Sequence, residues 1–141
     1  MGTTLYHWTS RDAMKLILAS KKLELEGTEY MAGLREGYSL ADQRALDDQY
    51  NYCGRFVWFT ESPSYNFSGK VKNEMAVILD SDAIEVQKWH YVKKENKNNS
   101  DFMKIANEND RLAIRMEDDP YQWWVSKQPI KLEGLNYQVA M

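Results

Sequence analysis

The sequence predicts an α+β fold, a small twisted sheet with helices placed early and in mid-chain. Three observations lead there. Two short, unbroken apolar runs, in "RFVWFT" at 55–60 and "EMAVILD" at 74–80, have the β-branched and aromatic content of strands buried on both faces. Between them and the N-terminus, "TSRDAMKLILAS" carries apolar residues at helical spacing behind a capping signal. The remaining apolar segments are short and divided by turn residues. A chain of 141 residues, 43% hydrophobic and 13% aromatic, is long enough for one core, so residues 1–141 are expected to form one domain.

Taken in order, "TLYH" at 4–7 predicts a short strand that offers Leu5 to the core and ends at His7. A helix follows over about residues 10–20, with Thr9 and Asp12 as its capping box and Ala13, Met14, Ile17 and Leu18 on one face. "KKLELEG" alternates as a strand does and stops at Gly27. Residues 28–54 are polar and rich in Gly, Tyr, Arg and Asp, with a second helix predicted over "SLADQRALDDQY" at 39–50. "RFVWFT" then makes a central strand that runs into a Ser-Pro turn, and "EMAVILD" makes another. "DAIEVQKWHYV" at 82–92 alternates and predicts a strand, with His90 structural within it, and "KKENKNNSD" at 93–101 a charged, Asn-rich loop. "DFMKIANENDRLAIRM" predicts a partly helical stretch, and the tail from residue 121 two strands separated at Pro129.

Composition excludes several classes of function. Net charge is −3 and the pI about 5.4, so nothing draws the whole chain to nucleic acid, and an anionic target has to meet a local basic patch. Lys93, Lys94 and Lys97 form one such run, which is more commonly a solvated face. Cys53 is the single cysteine and there are two histidines, so no intramolecular disulfide, cysteine zinc site or other metal centre is expected. No apolar run approaches the ~20 residues of a membrane span. "MGTTLYHWTS" lacks the regions of a signal peptide, and Tyr6 stands where a myristoylation signal has Ser or Thr. The expectation is a soluble, cytoplasmic protein with no membrane partner.

Two places concentrate chemistry. "TESPSYN" after the central strand delivers hydroxyls, an amide and a ring to the end of a buried strand, either as a turn that bonds its own backbone or as the wall of a cleft. His7, set between a strand and a helix N-terminus, faces the open end of a sheet. Together with "YQWWVSKQPIKLEGL", the stretches "LYHWTSRDAMKLILASKKLEL" and "RFVWFTESPSY" resemble, in chain order and over about a third of the sequence, the ADP-ribosyltransferase superfamily. The likeness is to its histidine-first branch, which includes the poly-ADP-ribose polymerases and the DNA-modifying toxins of toxin–antitoxin systems.

The resemblance implies a split, antiparallel-rich sheet with flanking helices, and NAD as substrate. It implies that His7 bonds the adenosine ribose hydroxyls and that the backbone beside Trp8 and Thr9 grips the nicotinamide amide. The second motif falls on Trp58, Phe59, Thr60, then Ser62 or Ser64, with Tyr65 stacking on nicotinamide. Arg35, Arg44 and Arg55 stand where toxins of this type place an arginine on the pyrophosphate; Arg35 and Arg55 are the candidates, against a plain surface ion pair. Tyr30, Tyr38, Tyr50 and Tyr52 are available for stacking on NAD or on a base, or for lid and core packing.

The third motif departs from the family. Its transferases open the late strand with a glutamate whose charge offsets the cation formed as nicotinamide leaves, and here that place holds Gln122. Three accounts compete: a deliberate Glu-to-Gln inactivation, a natural relative that binds without reacting, or a different register in which Glu117, Asp118 or Asp119 supplies the carboxylate. The implied activity is mono-ADP-ribosyl transfer to a macromolecule, with a nucleic acid base preferred over a protein acceptor. The implied context is a toxin or phage-conflict effector with an antitoxin as partner. Two alternatives remain: a non-catalytic module that binds NAD, ADP-ribose or a partner protein, and an RNA 2′-phosphotransferase, which shares the fold and needs no glutamate but is basic where this chain is not.

Overall fold

The computed structural model describes residues 2–25, 56–63, 74–115 and 117–140. Strand β1 (Thr4–Thr9) leads through helix α1 (Arg11–Ser20) to β2 (Lys22–Leu23). After β3 (Val57–Thr60) and β4 (Met75–Asp80) come a 3₁₀ turn (Ser81–Ala83), β5 (Gln87–Lys88), α2 (Trp89–Glu95) and α3 (Ser100–Arg115). A second 3₁₀ turn (Pro120–Gln122) opens β6 (Trp123–Ser126), followed by β7 (Ile130–Lys131) and β8 (Gln138–Ala140). Six strands form one sheet in the order β5-β6-β3-β1-β4-β8, and β2 pairs with β7 in a separate ribbon. Every pairing among the described residues is antiparallel. The α+β class predicted from sequence is the class observed.

Side chains on the two faces of the sheet enter two cores. On one, Leu5, Val57, Phe59, Val77 and Leu79 meet Met14 of α1, Leu23 of β2 and Ile130 of β7. On the other, Phe56, Trp123 and Val125 meet Trp89 and Val92 of α2 and Phe102, Ala106 and Ala113 of α3. This three-layer arrangement explains why "FVWF" is continuously apolar: β3 is covered on both sides, so neither set of alternating residues faces water. Each fully buried aliphatic or aromatic side chain contributes on the order of 1.5–3 kcal/mol by leaving water.

The connection between β1 and β3 is uneven along its length. β1 pairs with β4 over six residue pairs, from Thr4↔Asp80 to Thr9↔Met75. With β3 it has the single registered pair Tyr6↔Thr60. Beyond Tyr6 the ladder stops, and a side chain takes over, as described below.

Several expectations are corrected. β1 does not end at His7 but continues through Trp8 and Thr9, whose partners are Ala76 and Met75. Thr9, buried on the α1 face, therefore does not cap the helix; Ser10 does, its Oγ accepting from the Ala13 N–H at 3.1 Å. Residues 82–92 are a 3₁₀ turn, a two-residue strand and the start of α2, because the buried pair Trp89 and Val92 is spaced for a helix. The expected loop at 93–101 shrinks accordingly, and its asparagines close helices. Asn96 Nδ2 donates to the Val92 carbonyl at 2.8 Å, and Asn99 Oδ1 accepts from the Phe102 N–H at 3.1 Å. α3 is helical through all 16 residues, with Phe102, Ala106, Asn109, Asp110 and Ala113 on its buried stripe.

The tail contains three strands. β6 and β7, on either side of Pro129, belong to different sheets, and β8 adds the far edge of the main sheet beside β4. The stop at Gly27 and the second helix at 39–50 lie outside the described residues. Among the described residues no helix is long and apolar enough to cross a membrane, and no cluster of His, Cys, Asp and Glu is arranged to hold a metal.

Candidate functional site

Alternation along β1 turns Leu5, His7 and Thr9 toward α1 and leaves Tyr6 and Trp8 on the opposite face. His7 is 8% exposed, and its ring meets Phe59 edge-on at 5.7 Å. Its Nδ1 lies 2.7 Å from the backbone carbonyl oxygen of Trp58. A carbonyl can only accept, so Nδ1 carries the proton of this bond. The imidazole thus occupies a rung that the β1–β3 ladder leaves out: it satisfies a β3 carbonyl that a β1 N–H would otherwise bond.

The turn after β3 folds back over β1. Trp8 Nε1 donates to the Ser62 carbonyl at 3.2 Å, and the Ser62 N–H donates to Thr60 Oγ1 at 3.2 Å. The Trp8 ring stacks on Tyr6 with 6.2 Å between centroids and 13° between planes. Thr60, 5% exposed, spends its hydroxyl on the turn, as Ser and Thr often do at a strand end. Thr9 is also buried, and its carbonyl accepts from the Glu74 N–H at 3.0 Å. Trp58 contributes its carbonyl to His7, while its ring enters the far core against Trp89 at 4.9 Å and Trp123 at 5.7 Å.

Gln122 is exposed and ends the 3₁₀ turn before β6. Its N–H donates to the Asp119 carbonyl, and its carbonyl accepts from the Glu61 N–H, each at 3.0 Å. The β3–β6 register, which includes Thr60↔Trp123, places Glu61 opposite Gln122 one step beyond the last pair. The other acidic residues nearby have local tasks. Asp119 Oδ1 accepts from the Tyr121 N–H at 3.0 Å; Asp118 accepts from the Asp119 N–H at 2.8 Å and from Trp123 Nε1 at 3.3 Å. Glu117 is exposed, with its backbone in the left-handed region at φ 63°.

Of the residues expected in the site, His7, Trp8, Thr9, Trp58 and Thr60 lie on the adjacent strands β1 and β3, Ser62 in the turn after β3 and Gln122 in the 3₁₀ turn before β6; His7 and Thr9 face α1, and the side chains of Trp8, Trp58 and Thr60 the other side of the sheet. Arg35, Arg55, Ser64 and Tyr65 lie outside the described residues, as do Arg44, Tyr30, Tyr38, Tyr50, Tyr52 and Cys53. Sequence reasoning passed over Glu61. It stands directly after β3, half-buried, and its Oε2 accepts from Trp124 Nε1 at 3.0 Å. The available signal was its place, the first residue beyond a buried strand and the carboxylate nearest in sequence to the turn.

Beside Gln122, Tyr121 is 71% exposed and Tyr91 53% exposed, and His90 lies between them with centroids at 5.7 and 4.4 Å. His90 belongs to α2 and not to a strand. Lys93 is paired with Asp110, which also accepts from Trp89 Nε1 at 2.8 Å, so it serves the joint between α2 and α3. Lys94 and Lys97 are exposed. No protein family, no curated protein and no solved structure matches the chain.

Proposed function

We propose that the chain is a small mono-ADP-ribosyltransferase that cleaves NAD at its nicotinamide glycosidic bond and transfers ADP-ribose to a macromolecule. The observation that carries this reading is the parting of β1 from β3 after Tyr6, with the His7 ring bridging the gap. It supports a cleft where His7, Trp8 and Thr9 part from Val57–Phe59, with the Thr60–Ser62 turn and Gln122 at the end of the cleft marked by the Tyr6↔Thr60 pair. His7 faces a ribose hydroxyl in this reading. Gln122 gives a second ribose hydroxyl an amide partner. As the C1′–N bond breaks, its electron pair leaves with nicotinamide, which departs neutral, and positive charge passes to the ribose. The acceptor's lone pair then bonds C1′, and the acceptor loses a proton.

The exposed rings of Tyr91 and Tyr121 beside Gln122 favour a nucleic acid base as acceptor, since a base has a face to stack on each. Such an activity fits a toxin or phage-conflict effector held in check by a protein partner.

The test is to incubate the chain and its Gln122→Glu variant with labelled NAD and separate pools of RNA, DNA and protein. Gln122→Glu is expected to raise kcat about 100-fold or more while NAD affinity barely changes, because a carboxylate there acts on a charge present only in the transition state. Label on the nucleic acid pools supports the acceptor reading, and label on protein reverses it. If NAD binds and neither protein turns it over, the chain is a binding module. If NAD does not bind, the transferase reading fails.

A further inference from the structure

We propose that Glu61 supplies, in the chain as it stands, the negative charge that Gln122 lacks; the inference rests on the transferase reading above. Glu61 and Gln122 face each other across β3 and β6, joined by the 3.0 Å bond between their backbones. The Trp124 indole that bonds the Glu61 carboxylate packs against the core on the α1 face, so that carboxylate lies on the α1 face, beside the backbone of Gln122. That face is the one carrying His7. Phe59, whose ring His7 touches, lies two residues before Glu61 on β3, a separation of about 7 Å along a strand.

The carboxylate is oriented rather than loose. Trp124 Nε1 holds Oε2 at 3.0 Å, and Trp124 is itself anchored in the core on the α1 face. Oε1 makes no hydrogen bond or ion pair among the described residues. Asp118 and Asp119, by contrast, spend side-chain oxygens on the turn that positions Gln122. Of the acidic residues at this end of the sheet, Glu61 is the one built into the strand pair that presents position 122.

In cleavage, Glu61 neither gives nor takes a proton. The C1′–N electron pair leaves with nicotinamide, and the Glu61 carboxylate faces the cation left on the ribose. Water or the acceptor closes the bond to C1′ and releases one proton. This division of labour, an amide that orients and a neighbouring carboxylate that bears the charge, leaves the chain with a basal activity although residue 122 is an amide.

The experiment measures nicotinamide release from nicotinamide-labelled NAD, with NAD binding followed separately by calorimetry, for the chain and for Glu61→Gln and Glu61→Ala. Glu61→Gln keeps an oxygen for Trp124 and removes the charge. It is expected to lower release about 100 to 1000-fold with NAD affinity nearly constant. Formate added to Glu61→Ala is expected to restore part of the rate, an effect that a purely structural role does not produce. Release unchanged in Glu61→Gln overturns the inference and leaves the transferase reading standing. NAD binding without release in the unaltered chain overturns it too. Failure of NAD to bind removes both together.

Discussion

At the scale of single residues, the pair Glu61 and Gln122 makes a prediction about stability that does not depend on catalysis. Gln122→Glu puts a second carboxylate on the residue whose carbonyl accepts from the Glu61 N–H, and the repulsion between the two charges is expected to cost about 0.2–1 kcal/mol. A double-mutant cycle with Glu61→Gln is expected to remove that cost. Thermal melts of the four proteins that are additive within error would show that the two side chains do not meet. His7 makes a second prediction. Being 8% exposed and bonded to the Trp58 carbonyl, it is part of the sheet as well as of the cleft, so His7→Ala is expected to cost about 1–3 kcal/mol beside any loss of NAD binding. Ring ¹⁵N shifts are expected to show a proton on Nδ1; a ring protonated only on Nε2 would contradict the bond to Trp58. The sequence singled out His7 but not this dual role, because the single rung between β1 and β3 is a property of register.

At the scale of elements, what was legible was local. β1, α1, β3 and β4 come from runs whose period is unambiguous, and each lies close to its predicted place. The errors share a cause. In "QKWHYV" alternate residues suggest a strand while Trp89 and Val92 are three apart, and burial against Phe102 and Ala106 decides for a helix. The cap of α1 was misplaced by one residue because Thr9 and Ser10 are both good caps in isolation, and only the pairing of Thr9 with Met75 commits it to the strand. It follows that Ser10→Ala costs about 1 kcal/mol in denaturant unfolding. At the other end of α1, Lys21 holds φ 56°, with its N–H on the Ile17 carbonyl at 2.7 Å. Lys21→Gly is expected to be neutral or stabilising, since glycine adopts that conformation without strain. A loss comparable to that of Ser10→Ala would indicate that the lysine side chain itself supports the turn.

At the scale of the whole molecule, two cores on either side of one sheet were foreseeable from the doubly apolar strands, but the contents of the interface were not. Asn109 shows why. It lies on the stripe of α3 that includes Phe102, Ala106 and Ala113, it is 1% exposed, and both polar atoms of its side chain are without partners among the described residues. Nothing in "KIANENDRL" distinguishes it from the solvated asparagines around it; only packing does. Asn109→Leu removes an unsatisfied amide from an apolar layer and is expected to stabilise by about 1–3 kcal/mol, which for a domain of this size raises the melting temperature by several degrees. A fall in melting temperature would mean that the amide has a bonding role in the folded protein.

The same layer has an optical consequence. The indoles of Trp58 and Trp89 lie 4.9 Å apart and inclined at 60°, with Trp123 5.7 Å from Trp58. Transition dipoles held so close and at fixed angles couple, so the folded chain should display an exciton couplet in its tryptophan circular dichroism. Because Trp58 and Trp123 belong to the sheet and Trp89 to α2, the Trp58–Trp89 contribution registers the docking of one layer on the other and not helix content. Trp89→Phe should remove the Trp58–Trp89 contribution and leave that of Trp58 with Trp123 and the far-ultraviolet backbone signal of α3, so the difference marks whether the helical layer is seated when a ligand, a variant or a change of temperature acts on the opposite face.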